Sequence, residues 1–473
     1  MELDYNKTSV VPQRDEVFRR DVVPQRDEVP LREKKIKLSG RKKTIKDMSK
    51  KGFERNFWVA IVMEFFERGA YYGVLSVLSV YLVLTGDEGG LGFSKAQAGT
   101  IMGTIQPLLY FLPIIAGGIA DRYGYRRILF FAFTCITAGY ALTSITESYI
   151  PVYASLLLMA VGAGFFKPVI SGTIAKSTTE ENSTLGFGIF YWSINLGAFL
   201  VPLILVPMLK AKGYHNIFYM AAAVGCILML INTFFYREPA ANLNAPKQGK
   251  SIKELLIGIV QVLKDYKFIV LIFLYSGFWI LYFQMYGTVL WYLKEYVDMT
   301  PIDNAVNSFL GIFVDNPSWK FDTEHVTVIN AGVIICLQLI VSKLVQNWPA
   351  LPTMIMGIGF GTLGMGILSI SGSPWVFIVG LMVFTLGEMT THPKFLSYIG
   401  IIAPPDKKAL YMGYSFLYGV IGSSIGSFLG ASLYVRIVEQ MGKPQLLWMI
   451  FTGIGILSIV GLLMYNKFVG KKK

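Results

Sequence analysis

The sequence has few of the residues that most enzyme sites and disulfide-stabilised domains require. Its 473 residues include three cysteines and three histidines. Cys135, Cys226 and Cys336 lie far apart within apolar runs, and this spacing indicates neither a disulfide framework nor a zinc site. The sequence also contains no glycine-rich nucleotide loop, nucleophile elbow or cluster of metal ligands. An enzyme is therefore not expected, and no cofactor or metal ion is predicted.

Charge is also scarce, and most of the chain is apolar. Charged residues make up 15% of the sequence and hydrophobic residues 53%, which is above the share typical of a soluble domain. Helices that cross a bilayer need about 20 apolar residues, and twelve runs of this kind are present. They lie at about 57–84, 97–120, 127–146, 150–174, 185–209, 215–236, 268–297, 326–346, 351–371, 374–398, 409–436 and 445–466. The sequence predicts an all-α, multi-pass protein of the plasma (inner) membrane with twelve transmembrane helices.

Polar residues are concentrated at the start of the chain. Residues 32–51 contain ten Lys or Arg and two acids. The segment 1–53 has too little apolar surface to fold, so we expect a disordered basic tail there, including the repeated VVPQRDEV of 10–17 and 22–29. Basic residues beside a spanning helix are typical of the cytoplasmic side of a membrane, and nucleic acid binding is not expected.

A polar stretch after the sixth apolar run divides the predicted helices into two sets of six. We expect two six-helix bundles, 54–237 and 268–473, with the substrate between them. The linker 238–267 contains an apolar stripe at helical spacing over 251–264, which predicts an amphipathic helix on the cytoplasmic surface. The Lys and Arg residues of alternate loops place both termini in the cytoplasm. The loop of about 298–325 is a candidate for a small outer cap.

One apolar run carries three charges on a single face. Glu64, Glu67 and Arg68, followed by Tyr71 and Tyr72, fall within an arc of about 140° on a regular helix. Each charge at membrane depth costs on the order of 2.5–3.5 kcal/mol, so the three together indicate a water-filled cavity and mutual pairing. Two acids and one base leave a carboxylate in excess, which is a candidate proton-binding site. An ion pair that only locks helices together is the alternative.

Further polar side chains stand at membrane depth in other runs. Lys167 is a candidate cavity cation, and a lysine that snorkels to the membrane surface is the alternative. Asn195 is either a ligand for substrate or a hydrogen bond between helices. Glu388, His392 and Lys394 surround Pro393, and such a set around a proline-disrupted turn is not expected to serve packing alone.

The loop between the second and third runs is rich in charge. It reads GGIADRYGYRR over 117–127 and contains Asp121, Arg122, Arg126 and Arg127. These residues can form ion pairs with neighbouring helix ends that break and form again as the cytoplasmic side opens. The alternative is a solvated turn that only sets the topology. The stretch resembles the signature loop of the major facilitator superfamily.

Five further motifs together resemble the proton-coupled oligopeptide transporter family of that superfamily. They are EFFERGAYYG at 64–73, GAGFFKP at 162–168, FYWSINLGA at 190–198, FWILYFQ at 278–284 and GEMTTHP at 387–393. The resemblance implies two packed six-helix bundles and an alternating-access symporter that imports di- and tripeptides with protons as the coupling ion. A monomer is expected.

The resemblance also assigns roles to single residues. It directs Arg68 and Lys167 at the peptide carboxylate and Glu388 at the peptide amino group. Tyr72 and Asn195 would hydrogen-bond the peptide, and Gln284 is counted with the substrate-binding residues. Glu64 and Glu67 would couple the proton, together with Arg68.

Three departures from the family pattern bear on function. Phe283 stands where peptide-transporting members usually have an acid, and His392 replaces a common serine before Pro393. The extra pair of helices common in bacterial members is missing. We therefore predict that His392 takes part in proton coupling, unless it only hydrogen-bonds a carbonyl freed by the proline. A carrier of another small anionic or zwitterionic solute, or a drug/proton antiporter, is the alternative to peptide import.

Overall fold

The computed structural model describes residues 52–179, 182–239, 257–258, 260, 262–404 and 407–470. Nearly all of the predicted tail lies outside the described residues. So does most of the predicted amphipathic helix, although its described positions 257–258, 260 and 262–263 are helical. Every regular element in the described part of the chain is a helix.

Six spanning helices form the first half of the described chain. They are α1 (Arg55–Val83), α2 (Lys95–Tyr123), α3 (Tyr125–Ile145), α4 (Tyr149–Lys176), α5 (Ser183–Leu200, continued by a π-helical turn at Val201–Leu205 and by Val206–Lys210) and α6 (His215–Phe234).

Six more spanning helices form the second half. They are α7 (Tyr266–Gln284 and Thr288–Tyr296), α8 (Glu324–Val345), α9 (Ala350–Leu368), α10 (Pro374–Ile402), α11 (Lys408–Tyr414 and Leu417–Leu433, extended by Tyr434–Gln440) and α12 (Pro444–Tyr465). A short helix, Thr300–Leu310, lies in the loop between α7 and α8.

The twelve predicted spans are therefore all present. Eleven have the length and apolar composition of a membrane-crossing helix. The twelfth, α1, is 29 residues long and carries Glu64, Glu67 and Arg68. The span with the most charge is thus the one predicted to face a polar cavity, and the all-α fold expected from the apolar runs is confirmed.

Glycines allow α9 and α10 to approach closely. A side chain on Gly387 of α10 would lie 2.5 Å from the amide nitrogen of Gly361 and 2.6 Å from the carbonyl oxygen of Gly357, both on α9. A side chain on Gly364 of α9 would likewise lie 2.7 Å from the carbonyl oxygen of Gly380 on α10. Membrane helices associate by packing of this kind because lipid gives little hydrophobic drive between them. The contact fixes the part of α10 that carries Glu388.

Two spanning helices are interrupted and a third is not. α7 breaks at Gly287, whose φ of −130° and ψ of −100° are not helical. α11 breaks between Tyr414 and Leu417. By contrast α10 continues through Pro393, so the predicted disruption of its turn is wrong. A proline removes one backbone donor, and the close contact of α10 with α9 holds the remaining turns in place.

We predict that Gly387→Ala lowers the melting temperature of the protein in detergent. The added methyl group would meet backbone atoms of α9 that cannot rotate away, and overpacking of this kind costs about 1–3 kcal/mol. Gly359→Ala is the matched control, because no atom lies within 4 Å of a side chain added at Gly359. Equal melting temperatures for the two variants would contradict this account of the α9–α10 contact.

Candidate functional site

A polar cavity lies between the two halves of the protein. Helices α1, α2 and α4 line it from the first half, and α7 lines it from the second. The lining residues are Arg68, Tyr71, Tyr72, Leu75, Leu109, Tyr110, Ala163, Lys167, Tyr282, Phe283 and Tyr286. Arg68, Tyr72 and Lys167, three residues predicted to bind substrate, are therefore brought together here. The ring of Phe283 occupies the wall where the family commonly has an acid.

Arg68 is committed to Glu67, its neighbour in sequence. The guanidinium donates from Nε to one carboxylate oxygen of Glu67 at 2.5 Å and from Nη2 to the other at 2.8 Å. It also lies over the ring of Tyr71, with Cζ 4.8 Å from the ring centroid. Both charged side chains are buried. A two-point contact of this kind neutralises the pair and holds it in one geometry.

Glu64 is the carboxylate left in excess. Its Oε1 lies 3.7 Å from Nε of Arg68, which is too far for a hydrogen bond. Its Oε2 is buried and has no hydrogen-bond partner among the described residues. Since only 2% of the residue is exposed, an ionised carboxylate here would lack the donors that it needs. The excess acid predicted from the three charges is thus Glu64.

Lys167 is a cation without an acidic partner among the described residues. No carboxylate of the described chain lies within 4.0 Å of its ammonium, which instead faces the rings of Tyr110 at 5.2 Å and Phe416 at 5.6 Å. The side chain lines the cavity and does not reach for the membrane surface. The prediction of a cavity cation therefore agrees with the geometry, and the snorkelling alternative does not.

Glu388 is bound by an amide that the sequence analysis missed. Asn330 of α8 donates to Oε2 of Glu388 at 2.8 Å and to the hydroxyl of Thr385 at 3.1 Å. No described Lys or Arg pairs with Glu388, so its charge is available to a ligand. An asparagine inside a predicted span was the available signal for Asn330, as it was for Asn195.

Lys394 does not belong to this site. Its ammonium donates to the backbone carbonyl oxygens of Trp348 at 2.9 Å and Gln346 at 3.3 Å. It therefore satisfies carbonyl groups just beyond the end of α8, a common role for lysine at a helix C-terminus. The expectation that Lys394 acts beside Glu388 and His392 is wrong.

His392 lies among aromatic rings. Its Nδ1 is 3.3 Å from the hydroxyl of Tyr275, and its ring packs edge-on against Trp279 at 5.6 Å and Tyr418 at 5.7 Å. Among the described residues neither a hydrogen bond nor an ion pair connects it to Glu388. In the described part of the chain, His392 also makes no hydrogen bond to a backbone carbonyl. Its part in proton coupling stays a prediction.

The two amides predicted to bind substrate make contacts within the protein. Asn195 donates to the carbonyl of Tyr191, one turn earlier on α5, at 2.9 Å. Gln284 donates to the carbonyls of Ile280 at 2.7 Å and Gly426 at 2.9 Å, and it accepts from the hydroxyl of Thr288. Gln284 is 1% exposed and is absent from the cavity lining in this structure. It connects α7 to α11.

The charged loop between α2 and α3 is engaged within the first half. Asp121 accepts from the ammonium of Lys176 at 3.1 Å and from the hydroxyl of Tyr125 at 3.0 Å. Arg122 lies over the ring of Tyr123, and Arg127 is exposed.

Arg126 of the same loop reaches the end of α6, where it donates to the carbonyls of Asn232 and Thr233. Glu238, which the sequence analysis missed, accepts from the backbone N–H groups of Tyr125 at 2.8 Å and Arg126 at 2.9 Å and so caps α3. The predicted contacts with helix ends are thus present, and whether they break during transport stays a prediction.

Two ion clusters join the halves at the end where α1 finishes and α7 turns toward α8. In one, Lys95 of α2 binds Glu295 of α7 and Glu439 of the α11 extension, each at 2.6 Å. Every ion pair between the halves in which both partners are described lies at this end of the protein. By the predicted topology this is the outer end.

In the second cluster, Lys210 of α5 binds Glu324 at 2.5 Å and Asp322 at 2.8 Å, and Lys294 shares Asp322 at 2.9 Å. Burial opposes ionisation of Asp322, but Lys210 and then Lys294 outweigh it and hold the pKa of this carboxyl below its usual value. Asp322 thus stays ionised, and its contribution is lost only as the pH falls through that lowered pKa. Neither cluster was predictable from the sequence, because the residues that it joins across the two halves are far apart in the chain.

The sequence matches the family model of the Major Facilitator Superfamily over residues 57–427. The chain belongs to this superfamily. Its members are transporters, which agrees with the expectation that the protein is not an enzyme and with the twelve spans of a multi-pass membrane protein.

Several curated relatives share substantial identity with the chain. An uncharacterized transporter of Bacillus subtilis (strain 168), YclF, is 28% identical over 88% of this chain and 94% of its own length. A di-/tripeptide transporter of Lactococcus lactis subsp. lactis (strain IL1403) is 31% identical, over 49% of this chain and 47% of the relative. Dipeptide and tripeptide permease B of Photorhabdus asymbiotica is 25% identical over 84% of this chain and 90% of the relative.

Solved structures of peptide transporters share the fold. A mutant of the peptide transporter POT in complex with alafosfalin superimposes with a TM-score of 0.75 at 21% identity, covering 89% of this chain and 96% of that one. A POT family transporter in complex with 5-aminolevulinic acid gives a TM-score of 0.71 at 22% identity, covering 89% and 97%. With the relatives above, these likenesses confirm the predicted resemblance to the proton-coupled oligopeptide transporter family.

We predict that Lys210→Met opens the outer end of the protein. The change leaves the carboxylate of Glu324, which is 1% exposed, without its cation, and breaking a buried pair in this way costs about 3–5 kcal/mol. Ser79 lies beneath the closure, where its carbonyl accepts from the indole of Trp291 at 2.9 Å. A cysteine at Ser79, in a background free of other cysteines, should react faster with a membrane-impermeant maleimide in the variant.

The control for this experiment is Lys212→Met. Lys212 is exposed and lies two residues after Lys210, so its loss removes a similar charge without touching either ion cluster. Equal reaction rates in the Lys210 and Lys212 variants would show that the second cluster does not hold the outer end closed.

Proposed function

We propose that the protein is a proton-coupled symporter that imports di- and tripeptides across the plasma membrane by alternating access, as a monomer with both termini in the cytoplasm. The observation that carries the proposal is the pair of unpaired charges in opposite halves. Lys167 of the first half has no acidic partner, and Glu388 of the second half has no basic partner, in the described structure. A zwitterionic ligand supplies both.

Glu388 stands close enough to the cavity to take part in binding. Phe384, one turn before Glu388 on α10, stacks on the ring of Tyr282 at a centroid distance of 6.5 Å, and Tyr282 lines the cavity. The carboxylate of Glu388 accepts from Asn330 and retains oxygen lone pairs for an ammonium group. Each residue of an extended peptide adds about 3.5 Å between its charged ends, so two fixed poles limit the length of the peptide.

The closure of one end of the protein supports alternating access. The ion clusters of Lys95 and Lys210 join the halves at the predicted outer end, and they must break before a peptide can enter from outside. Import then consists of two arrangements of the same halves about one binding site.

The geometry of α1 supports Glu64 as the proton-binding group. Glu67 already shares both oxygens with Arg68, whereas Glu64 has a buried oxygen without a donor. A proton on Glu64 removes the uncompensated charge and supplies a hydroxyl donor. His392, which was also predicted to couple protons, lies apart from this group in its aromatic surroundings.

A second candidate substrate is a small zwitterion other than a peptide. One structural neighbour is described in complex with 5-aminolevulinic acid, which carries an amine and a carboxylate on one short chain. Competition between 5-aminolevulinic acid and labelled dialanine distinguishes the two candidates.

We predict uptake of labelled dialanine into proteoliposomes when the outside is made acidic, with accumulation above equilibrium. Lys167→Met should raise the dissociation constant for dialanine at least tenfold, because a charge-assisted contact is worth about 1.5–3 kcal/mol. It should change the binding of dialanine amide little. Glu388→Gln should weaken the binding of dialanine but not the binding of its N-acetyl derivative. If the wild-type protein binds 5-aminolevulinic acid but not dialanine, the substrate is a zwitterion other than a peptide.

We predict that Glu64→Gln abolishes proton-driven accumulation and spares exchange of labelled for unlabelled dipeptide. Glutamine resembles a protonated carboxyl, so the binding charges remain while the proton is no longer carried. Glu67→Gln is the matched comparison and should reduce both activities, because it leaves Arg68 without its two-point partner. Accumulation retained by Glu64→Gln but lost by His392→Gln would move the proton site to the histidine.

A further inference from the structure

The ammonium of Lys167 is held by aromatic rings from both halves. Tyr110 of α2 and Phe416 of α11 place their centroids 5.2 Å and 5.6 Å from Nζ. A cation within about 6 Å of a ring centroid is attracted by the negative face of the ring, by about 0.5–1 kcal/mol when exposed and about 2 kcal/mol when desolvated. Phe283, which stands where the family commonly has an acid, packs edge-on against Tyr110 at 5.9 Å.

We propose that Phe416 and Tyr110 form an aromatic cage that positions Lys167 for the carboxylate of the substrate. Phe416 is thus a positioning residue that determines the preference for substrates with a free carboxylate. The part of this proposal that concerns substrate rests on the proposed function, whereas the cage itself does not.

Aromatic rings and carboxylates differ in how they affect the charge and the N–H donors of a lysine ammonium group. A carboxylate neutralises the ammonium and occupies its N–H donors, so a substrate must displace it. Ring faces hold the charge in place without neutralising it. Because no described carboxylate lies within 4.0 Å of Lys167, the N–H donors that the rings leave free remain for an incoming carboxylate.

The cage depends on the arrangement of the halves. Tyr110 sits directly on Gly419 of α11, where an added side chain would collide with its ring, and it packs edge-on against Trp279 and Tyr418. Phe416 lies at the break in α11, between its two helical segments. Lys167 belongs to the first half, so a displacement of α11 relative to α4 removes one ring face from the ammonium.

The first measurement compares ligands that differ only in their carboxylate. We expect Phe416→Leu to weaken the binding of dialanine to the purified protein three- to tenfold, a factor that corresponds to a contact of about 0.7–1.4 kcal/mol. Binding of dialanine amide should be unchanged, and Phe416→Tyr should bind dialanine as the wild type does. Phe428→Leu is the control, since Phe428 lies on the same helix against Gly103 of α2 and has no described lysine over its ring.

The second measurement needs no substrate. Reductive ¹³C-methylation keeps the charge of lysines, and the signal of Lys167 is assigned by its loss in Lys167→Arg. Ring currents of the cage should shift this signal upfield in the wild type, in Phe416→Tyr and in Phe428→Leu, and the shift should shrink in Phe416→Leu.

The two measurements separate the possible failures. A ring-current shift that Phe416→Leu leaves unchanged, or equal losses of dialanine and its amide in that variant, would overturn the cage as a positioning device. Wild-type protein that shows the shift but binds no dialanine would refute peptide as the substrate while the cage stands.

Discussion

The cost of placing charge inside a membrane governs the arrangement of this protein. Arg68 and Glu67 meet that cost by pairing with each other through two hydrogen bonds. Among the described side chains, Glu64 lies 3.7 Å from Arg68 without a hydrogen bond to it, Glu388 accepts from the uncharged Asn330, and Lys167 has no carboxylate within 4.0 Å. A proton and a zwitterion together supply three partners of the right sign. Asn330 donates a hydrogen bond to Glu388, and the rings of Tyr110 and Phe416 lie next to the ammonium of Lys167.

Local features of the fold were predictable because they follow from periodic patterns. Apolar runs of spanning length predicted the twelve helices, and the spacing of Glu64, Glu67 and Arg68 predicted that they share a face. The choice of Glu64 as the unpaired acid was not predictable. Two carboxylates lie within reach of one guanidinium on a helix, and which of them forms the two-point contact depends on rotamers that the sequence does not specify.

The contacts that sequence reasoning missed connect segments far apart in the chain. Lys394 was read together with its neighbours Glu388 and His392, yet it points to carbonyls beyond the end of α8. Glu238 caps a helix that begins 113 residues earlier. A single sequence gives the chemistry of such residues but not their partners, since distant positions meet only through the packing of whole helices.

The glycine contact between α9 and α10 affects how the distance between Lys167 and Glu388 can change. Backbone atoms of the two helices meet at Gly361, Gly364 and Gly387, which leaves little room for one helix to shift along the other, so we expect the two helices to move together. Glu388 follows Gly387 on α10, so its backbone cannot shift toward or away from Lys167 without moving both helices. The distance between Lys167 and Glu388 therefore depends on the displacement of one half against the other. Under the proposed function, a ligand fits when the distance between its charged ends matches the distance between Lys167 and Glu388 in one arrangement of the halves.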